Sequence, residues 1–159
     1  VDKGRLETVD QENILVDFLL KNENIFKLYN IKIIFESDFS PAKLALFLER
    51  LNSAQFGINY DIGNSAALGF NVVEEFEAYG HRVENIHVKD RVLGGNTVPL
   101  KSGNADFETV FMELAKQKYT GNFILQTARA NDGKHVEAIE EYQKMTLCWM
   151  TEYDLLVKN

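Results

Sequence analysis

The chain has 159 residues, a formal net charge of −7 at pH 7, 45 % hydrophobic residues and 26 % charged residues. These values are ordinary for one globular domain, and the acidic balance argues against nucleic-acid binding, which needs a basic surface. No apolar run approaches the ~20 residues that span a bilayer, and the first residues lack the pattern of a signal peptide. We therefore expect a cytoplasmic protein whose single cysteine, Cys148, is a small buried hydrophobe in an apolar run.

The predicted elements alternate between helices and strands along the chain. A capping-box pattern at Thr8 opens the first helix, whose apolar residues recur at helical spacing as far as Leu28. Short apolar runs predict strands at residues 31–35, 56–60, 83–86 and 123–125. Capping residues and helical spacing predict the remaining helices at residues 42–51, 71–80, 107–118 and 135–157. The segment 92–105 is predicted to be a long polar loop.

The four predicted strands are apolar throughout, which is typical of a parallel sheet with both faces covered. Strand–helix repeats occur in barrels and in doubly wound sheets, but no glycine-rich nucleotide-binding turn follows the first strand at Phe35. We therefore predict a single α/β domain, residues 1–159, built as half of an eight-stranded barrel. Its two open strand edges need the other half-barrel or a second copy of the chain. Because the sequence does not begin with methionine, we expect a fragment or a processed chain.

The first three predicted strands each end in a side chain that can bind a metal ion: Glu36, Asp61 and His87. The carboxyl ends of parallel strands meet on one face of a barrel, so these side chains are expected to converge. One charged strand end is readily explained by solvation or an ion pair, but three in register are harder to explain in that way. Two carboxylates and an imidazole suit Mn²⁺, Mg²⁺, Zn²⁺ or Co²⁺.

Three segments carry a resemblance to a known family: residues 60–64 (YDIGN), 86–91 (IHVKDR) and 99–107 (PLKSGNADF). They resemble the last four strands, strands 5–8, of the xylose-isomerase-like TIM-barrel superfamily, and the similarity extends from about Val1 to Arg129. This superfamily contains sugar and sugar-phosphate isomerases and epimerases, with inosose dehydratase and endonuclease IV among its relatives. The resemblance implies a metal-dependent isomerase or epimerase acting on a small sugar or sugar phosphate.

The resemblance also implies one divalent metal held by Glu, Asp, His and Glu from four successive strands. Glu36, Asp61 and His87 match the first three ligands, whereas the fourth position is Gln126. In the epimerases the two glutamates act as an acid/base pair, and an amide cannot hold a proton in that way. We therefore predict Glu36 as the catalytic base and Gln126 as a weak ligand through its carbonyl oxygen or as a donor to the substrate.

The same strand ends supply candidate substrate-binding residues. Lys89 and Asp90 alternate along a strand, so at most one of them faces a ligand. An arginine can pair with a phosphate or carboxylate, and its alternative is an ordinary surface ion pair. The candidates are Asn64, Lys89, Asp90, Arg91 and Arg129. For the loop 102–104, a turn before a helix capped by Asp106 is favoured over an anion cradle.

Other polar residues are predicted to lie on solvated helix faces or on the surface: Glu74, Glu75, Glu77, residues 137–141, His81 and His135. Four functions remain open at this point. The first is the isomerase, epimerase or related lyase, and the second is a DNA-repair endonuclease. The endonuclease needs three zinc ions, and three histidines in an acidic chain argue against it. The third is a non-catalytic module, which Gln126 favours, and the fourth is a half-barrel without independent function.

Overall fold

The computed structural model describes residues 6–156. Six α-helices and six strands follow one another in this part of the chain. The helices are α1 (Val9–Leu28), α2 (Pro41–Glu49), α3 (Ile62–Leu68), α4 (Val72–Tyr79), α5 (Phe107–Lys116) and α6 (His135–Glu152). The strands are β1 (Ile33–Phe35), β2 (Phe56–Asp61), β3 (Val83–Val88), β4 (Asp90–Arg91), β5 (Thr97–Val98) and β6 (Asn122–Leu125). A short 3₁₀ helix, Gly80–Arg82, leads into β3.

Four strands form a parallel sheet in the order β1-β2-β3-β6. The order follows the chain without reversal, so right-handed crossovers carry the connecting helices to the same face of the sheet. The register pairs Phe35 with Ile58, Asp61 with His87, and Val88 with Leu125. The predicted α/β class with a parallel sheet is therefore confirmed, and most predicted element ends agree with the structure to within a few residues.

The core lies between the sheet and its helices. Phe56, Ile58 and Tyr60 alternate along β2 and are almost fully buried against this layer. Aromatic rings fill the other end of the sheet, where the ring of Phe111 stacks on that of Phe123 with centroids 5.4 Å apart. Each such side chain contributes about 1.5–3 kcal/mol by leaving water, so the helix-covered face supplies most of the apolar stabilisation.

Arg82 joins the ends of two elements inside this core. Its guanidinium is buried and donates to the backbone carbonyls of Leu48 and Leu51, at the end of α2, and of Phe56, at the start of β2. The Leu48 carbonyl also accepts the backbone N–H of Leu51 at 3.0 Å, in the turn with which the chain leaves α2. One cation therefore satisfies three buried acceptors and fixes the position from which β2 starts.

Two features differ from the predicted elements. Helix α3 follows β2 directly, because Asp61 ends the strand and its side chain accepts the Asn64 N–H as an N-cap. The segment predicted as a polar loop contains β5, which pairs antiparallel with β4 immediately before that segment. Its turn contains Gly94 in the left-handed region, with φ of 63°. Both features are short, and neither has the periodicity that identifies a longer element in a sequence.

Two burial predictions are wrong. Cys148 is exposed, because α6 turns Tyr142 and Trp149 toward the core and leaves the position beside Trp149 outside. Glu75 is only 2 % exposed, because α4 packs its face against β2. His81 and His135 are exposed, as predicted. Residue 157, the predicted end of the last helix, lies outside the described residues, and no helix within 6–156 is long and apolar enough to cross a membrane.

The face of the sheet opposite the helices is partly open. Ile34 on β1 and Ile124 on β6, the two outer strands, are 39 % and 48 % exposed. Helix α1, next to β1, exposes Ile14, Phe18 and Ile25 along one side. Apolar surface is therefore exposed near the β1 edge and on the open face.

Candidate metal centre

Glu36, Asp61 and His87 meet at the carboxyl ends of β1, β2 and β3. One ligand atom from each lies within 4.8 Å of the other two. His87 Nδ1 is 3.4 Å from Glu36 Oε2 and 3.6 Å from Asp61 Oδ2. A metal with ligand bonds of about 2.0–2.2 Å needs ligand atoms about 3.0–3.5 Å apart. The two distances from His87 are close to this range, and the widest pair must draw closer around an ion. The donor set of two carboxylates and one imidazole also suits a divalent metal.

Two asparagine amides hold Glu36 in place. Asn59 Nδ2 donates to Glu36 Oε2 at 2.9 Å, and Asn64 Nδ2 donates to Glu36 Oε1 at 2.6 Å. Asn59 also lies 3.1 Å from His87 Nδ1, and its carbonyl oxygen accepts from Asn85 Nδ2 at 2.6 Å. Asn59 and Asn85 are adjacent in the β2–β3 register and are nearly buried. Asn59, which is itself held by Asn85, therefore fixes the side-chain rotamers of Glu36 and His87.

The two carboxylate oxygens of Asp61 make different contacts. Oδ1 accepts the backbone N–H of Asn64 at 2.8 Å and caps α3. Oδ2 faces His87 and lies 3.2 Å from Lys89 Nζ. The cap fixes the carboxylate without using the oxygen that points into the site.

Gln126 stands at the end of β6, where its backbone N–H donates to the Val88 carbonyl. Its side-chain Oε1 accepts from Lys89 Nζ at 3.0 Å. The ammonium group of Lys89 therefore bridges Asp61 and Gln126. The three ligand atoms described above and the Lys89–Gln126 pair lie side by side at one edge of the sheet.

The remaining candidate residues divide into two groups. Arg91 Nη1 donates to Asn64 Oδ1 at 2.7 Å, which connects it to Glu36 through one amide, and Arg129 lines a pocket with Lys89 and Gln126. Asp90 does not join them, because it is fully buried on the other side of the strand.

The Asp90 carboxylate fastens the loop before α5. Its oxygens accept the backbone N–H groups of Gly103 and Ala105 at 2.9 and 3.1 Å. A Cβ at Gly103 would collide with Asp90 and with the backbone of Arg91, so this close approach needs glycine. The predicted substrate-binding position of Asp90 is therefore not observed, and the favoured turn with an Asp106 cap is confirmed.

A buried carboxylate behind Asp61 was missed at the sequence level. Glu75 Oε1 accepts from the Tyr79 hydroxyl at 2.6 Å, and Oε2 accepts from the Tyr60 hydroxyl at 2.8 Å and from Ser65 Oγ. Burial raises the pKa of Glu75, although the three hydroxyl donors oppose this rise. The cluster ties α4 to β2 and α3, the two elements that meet at Asp61. Only the hydroxyl residues Tyr60 and Tyr79 could have signalled it in the sequence.

The fold and these side chains define an α/β protein of the TIM-barrel type with a candidate metal centre at its strand ends. The model of the xylose isomerase-like TIM barrel family matches residues 11–151, and the chain belongs to this family. An L-ribulose-5-phosphate 3-epimerase, UlaE of Salmonella paratyphi A, is 32 % identical over 88 residues, which are 55 % of this chain and 31 % of that protein. The putative L-ribulose-5-phosphate 3-epimerase SgbU of Escherichia coli K12 is 34 % identical over 85 residues, which are 49 % of this chain and 30 % of that protein.

Solved structures share the fold at lower identity. The IolI protein with a bound zinc atom superposes with a TM-score of 0.77 at 19 % identity, covering 96 % of this chain and 61 % of that one. A xylose isomerase domain protein from Planctomyces limnophilus gives 0.76 at 17 % identity, covering 97 % and 57 %. The chain therefore spans little more than half the length of these structures, and its match covers about a third of the epimerases.

Proposed function

We propose that the chain supplies the metal-binding strands of a sugar isomerase or epimerase that acts on a small sugar or sugar phosphate. The observation that carries this proposal is the convergence of Glu36, Asp61 and His87 in a member of this family. The epimerase relatives support the substrate class, and the zinc in the IolI structure supports a metal. A related lyase would use the same centre.

The three strand-end residues would hold Mn²⁺, Mg²⁺, Zn²⁺ or Co²⁺, and the metal would polarise the carbonyl and hydroxyl oxygens of a sugar. Glu36 would take the proton from the carbon next to the carbonyl, with Asn59 and Asn64 orienting its two oxygens. Lys89 and Arg91 would face the substrate with Asn64 between them.

We expect incubation of the chain with Mn²⁺ and a pentulose in D₂O to place deuterium on the carbon next to the carbonyl. Metal binding without exchange would instead favour a non-catalytic module or a half-barrel without independent function.

Gln126 distinguishes this centre from one with four ionisable ligands. We propose that Gln126 serves as a neutral fourth group whose oxygen is shared with the Lys89 ammonium. Replacement by glutamate adds a negative charge at the strand end next to the centre, beside Lys89. The expected result for Gln126→Glu is Mn²⁺ binding that is tighter by about 10-fold, a magnitude seen for changes around metal ligands. Isothermal titration measures it, and Gln143→Glu on the exposed side of α6 is the matched control. Unchanged affinity would mean that Gln126 does not face the ion.

We also propose that this chain corresponds to strands 5–8 of the barrel and that further strand–helix units cover its two open edges. The exposed Ile34 and Ile124 on the outer strands support this arrangement. The alternatives for the covering units are the first four units of a longer chain or a second copy of this one.

Native mass spectrometry of the 159-residue chain separates these two alternatives. A dimer that is more heat-stable with Mn²⁺ is expected if a second copy completes the barrel. A monomer that aggregates without forming a discrete dimer would indicate that a longer chain supplies the missing units. If a specific dimer forms, Ile124→Lys on the open face should abolish it, whereas Leu46→Lys, on the exposed side of α2, should not.

A further inference from the structure

We infer that a pocket beside the candidate metal centre binds the phosphate group of a phosphorylated substrate. The pocket opens between β5 and the segment after β6 and has a volume of 510 Å³, which is within the range of small-molecule sites. Its polar lining comes from Lys89, Thr97, Gln126, Thr127, Arg129 and Asn131. The assignment rests on the proposed function for the sugar part of the ligand, but phosphate binding can be measured without it.

Charge separates this pocket from its neighbour. Two of the lining side chains, Lys89 and Arg129, are cationic, and none is acidic. The other pocket at these strand ends is lined by the carboxylates of Glu36, Asp61 and Glu75. In this acidic chain, the pocket with the carboxylates suits a metal cation, and the pocket with Lys89 and Arg129 suits an anion.

Arg129 is the cation of this pocket that has no counter-charge among the described residues, whereas Lys89 pairs with Asp61. It is exposed at the pocket and makes no hydrogen bond or ion pair with any residue in the described range 6–156. A guanidinium offers five N–H donors in a planar fork and pairs with phosphate oxygens through two of them. The hydroxyls of Thr97 and Thr127 and the amide of Asn131 add neutral donors, which suit a tetrahedral group with three free oxygens.

Lys89 connects the pocket to the centre. Its ammonium group lies 3.2 Å from Asp61 Oδ2 and 3.0 Å from Gln126 Oε1, so one side chain touches both places. A sugar whose carbonyl end lies at the metal ligands would therefore direct its far end along Lys89 into the pocket. A phosphate at that end would meet Arg129 and would orient the chain of carbon atoms between the two anchors.

The test is isothermal titration of the metal-free 159-residue chain with inorganic phosphate and, separately, with acetate. We expect phosphate to bind and acetate to bind at least 10-fold more weakly, because acetate offers two oxygens and one charge. Arg129→Ala should weaken phosphate binding by at least 10-fold, and Arg129→Lys should restore part of it. Lys144→Ala removes an exposed cation on α6, far along the chain from the pocket residues, and should leave the affinity unchanged.

Three results would overturn the inference: no phosphate binding by the unaltered chain, an unchanged affinity in Arg129→Ala, or an equal loss in Lys144→Ala. Acetate binding as tight as phosphate, with the same dependence on Arg129, would assign the pocket to a carboxylate instead. Titration of Mn²⁺ into the same chain keeps the two proposals apart. If Mn²⁺ fails to bind while phosphate depends on Arg129, the pocket stands and the metal centre fails, and the opposite pattern has the opposite meaning.

Discussion

Replacing Glu36 by glutamine is expected to weaken Mn²⁺ binding by more than about 100-fold and to abolish deuterium exchange into a pentulose. The change removes one of two carboxylates from a three-residue centre and also removes the only proposed base. The amides of Asn59 and Asn64 each donate to a Glu36 oxygen, so glutamine also disturbs this hydrogen-bonded arrangement. Isothermal titration measures the affinity, and mass spectrometry of the sugar measures the exchange.

Two further variants test whether the effect of Glu36→Gln is specific to the candidate centre. Glu77→Gln neutralises an exposed carboxylate on α4, outside the centre, and should behave as the unaltered chain. Asp61→Asn removes a charge from the centre but keeps an oxygen that can cap α3, because asparagine is as good an N-cap as aspartate. We expect Asp61→Asn to remain folded and to lose metal affinity. Equal Mn²⁺ binding by Glu36→Gln and Glu77→Gln would disprove the assignment of the centre.

Replacing Glu75 by leucine is expected to lower the free energy of unfolding by about 3–5 kcal/mol. The substitution removes the carboxylate that accepts from the buried hydroxyls of Tyr60, Ser65 and Tyr79, and of these Tyr60 keeps a contact with Ser65 Oγ at 3.3 Å. Each unsatisfied donor costs about 1–3 kcal/mol, and the hydrophobic gain of leucine offsets only part of the sum. Urea unfolding followed by circular dichroism measures the loss. Glu77→Leu, at an exposed position on the same helix, should change stability by less than about 0.5 kcal/mol.

Glu75 also gives the protein a specific pH dependence. Burial raises the pKa of Glu75 above its ordinary value of 4.5. Between pH 4.5 and the raised pKa, the folded state therefore binds the Glu75 proton more tightly than the unfolded state does. Its contribution to stability is therefore greatest below pH 4.5 and is lost as the pH rises through the folded-state pKa. Glu75→Gln has no proton to lose and should flatten this part of the stability curve. Parallel curves for both proteins between pH 4.5 and neutrality would contradict the role assigned to burial.

The sequence by itself determined the alternation of elements and the three side chains that converge at the candidate centre. Apolar runs between helical segments identify buried parallel strands, and the carboxyl ends of parallel strands share one edge of the sheet. Glu36, Asp61 and His87 could therefore be placed together without coordinates. The capping box at Thr8 was equally readable, because its partners lie within one turn of each other.

Tertiary structure alone decided which polar groups support these ligands and which are unavailable. The Glu75 cluster joins α4, β2 and α3, and the Asp90 carboxylate closes a loop from residues more than ten positions away. The exposure of Cys148 depends on which side of α6 meets the core. The bond between Gln126 and Lys89 likewise joins two strands that are adjacent only in the sheet. A local pattern specifies the element and its period, whereas the partner of a polar side chain is set by the packing of elements distant in the chain.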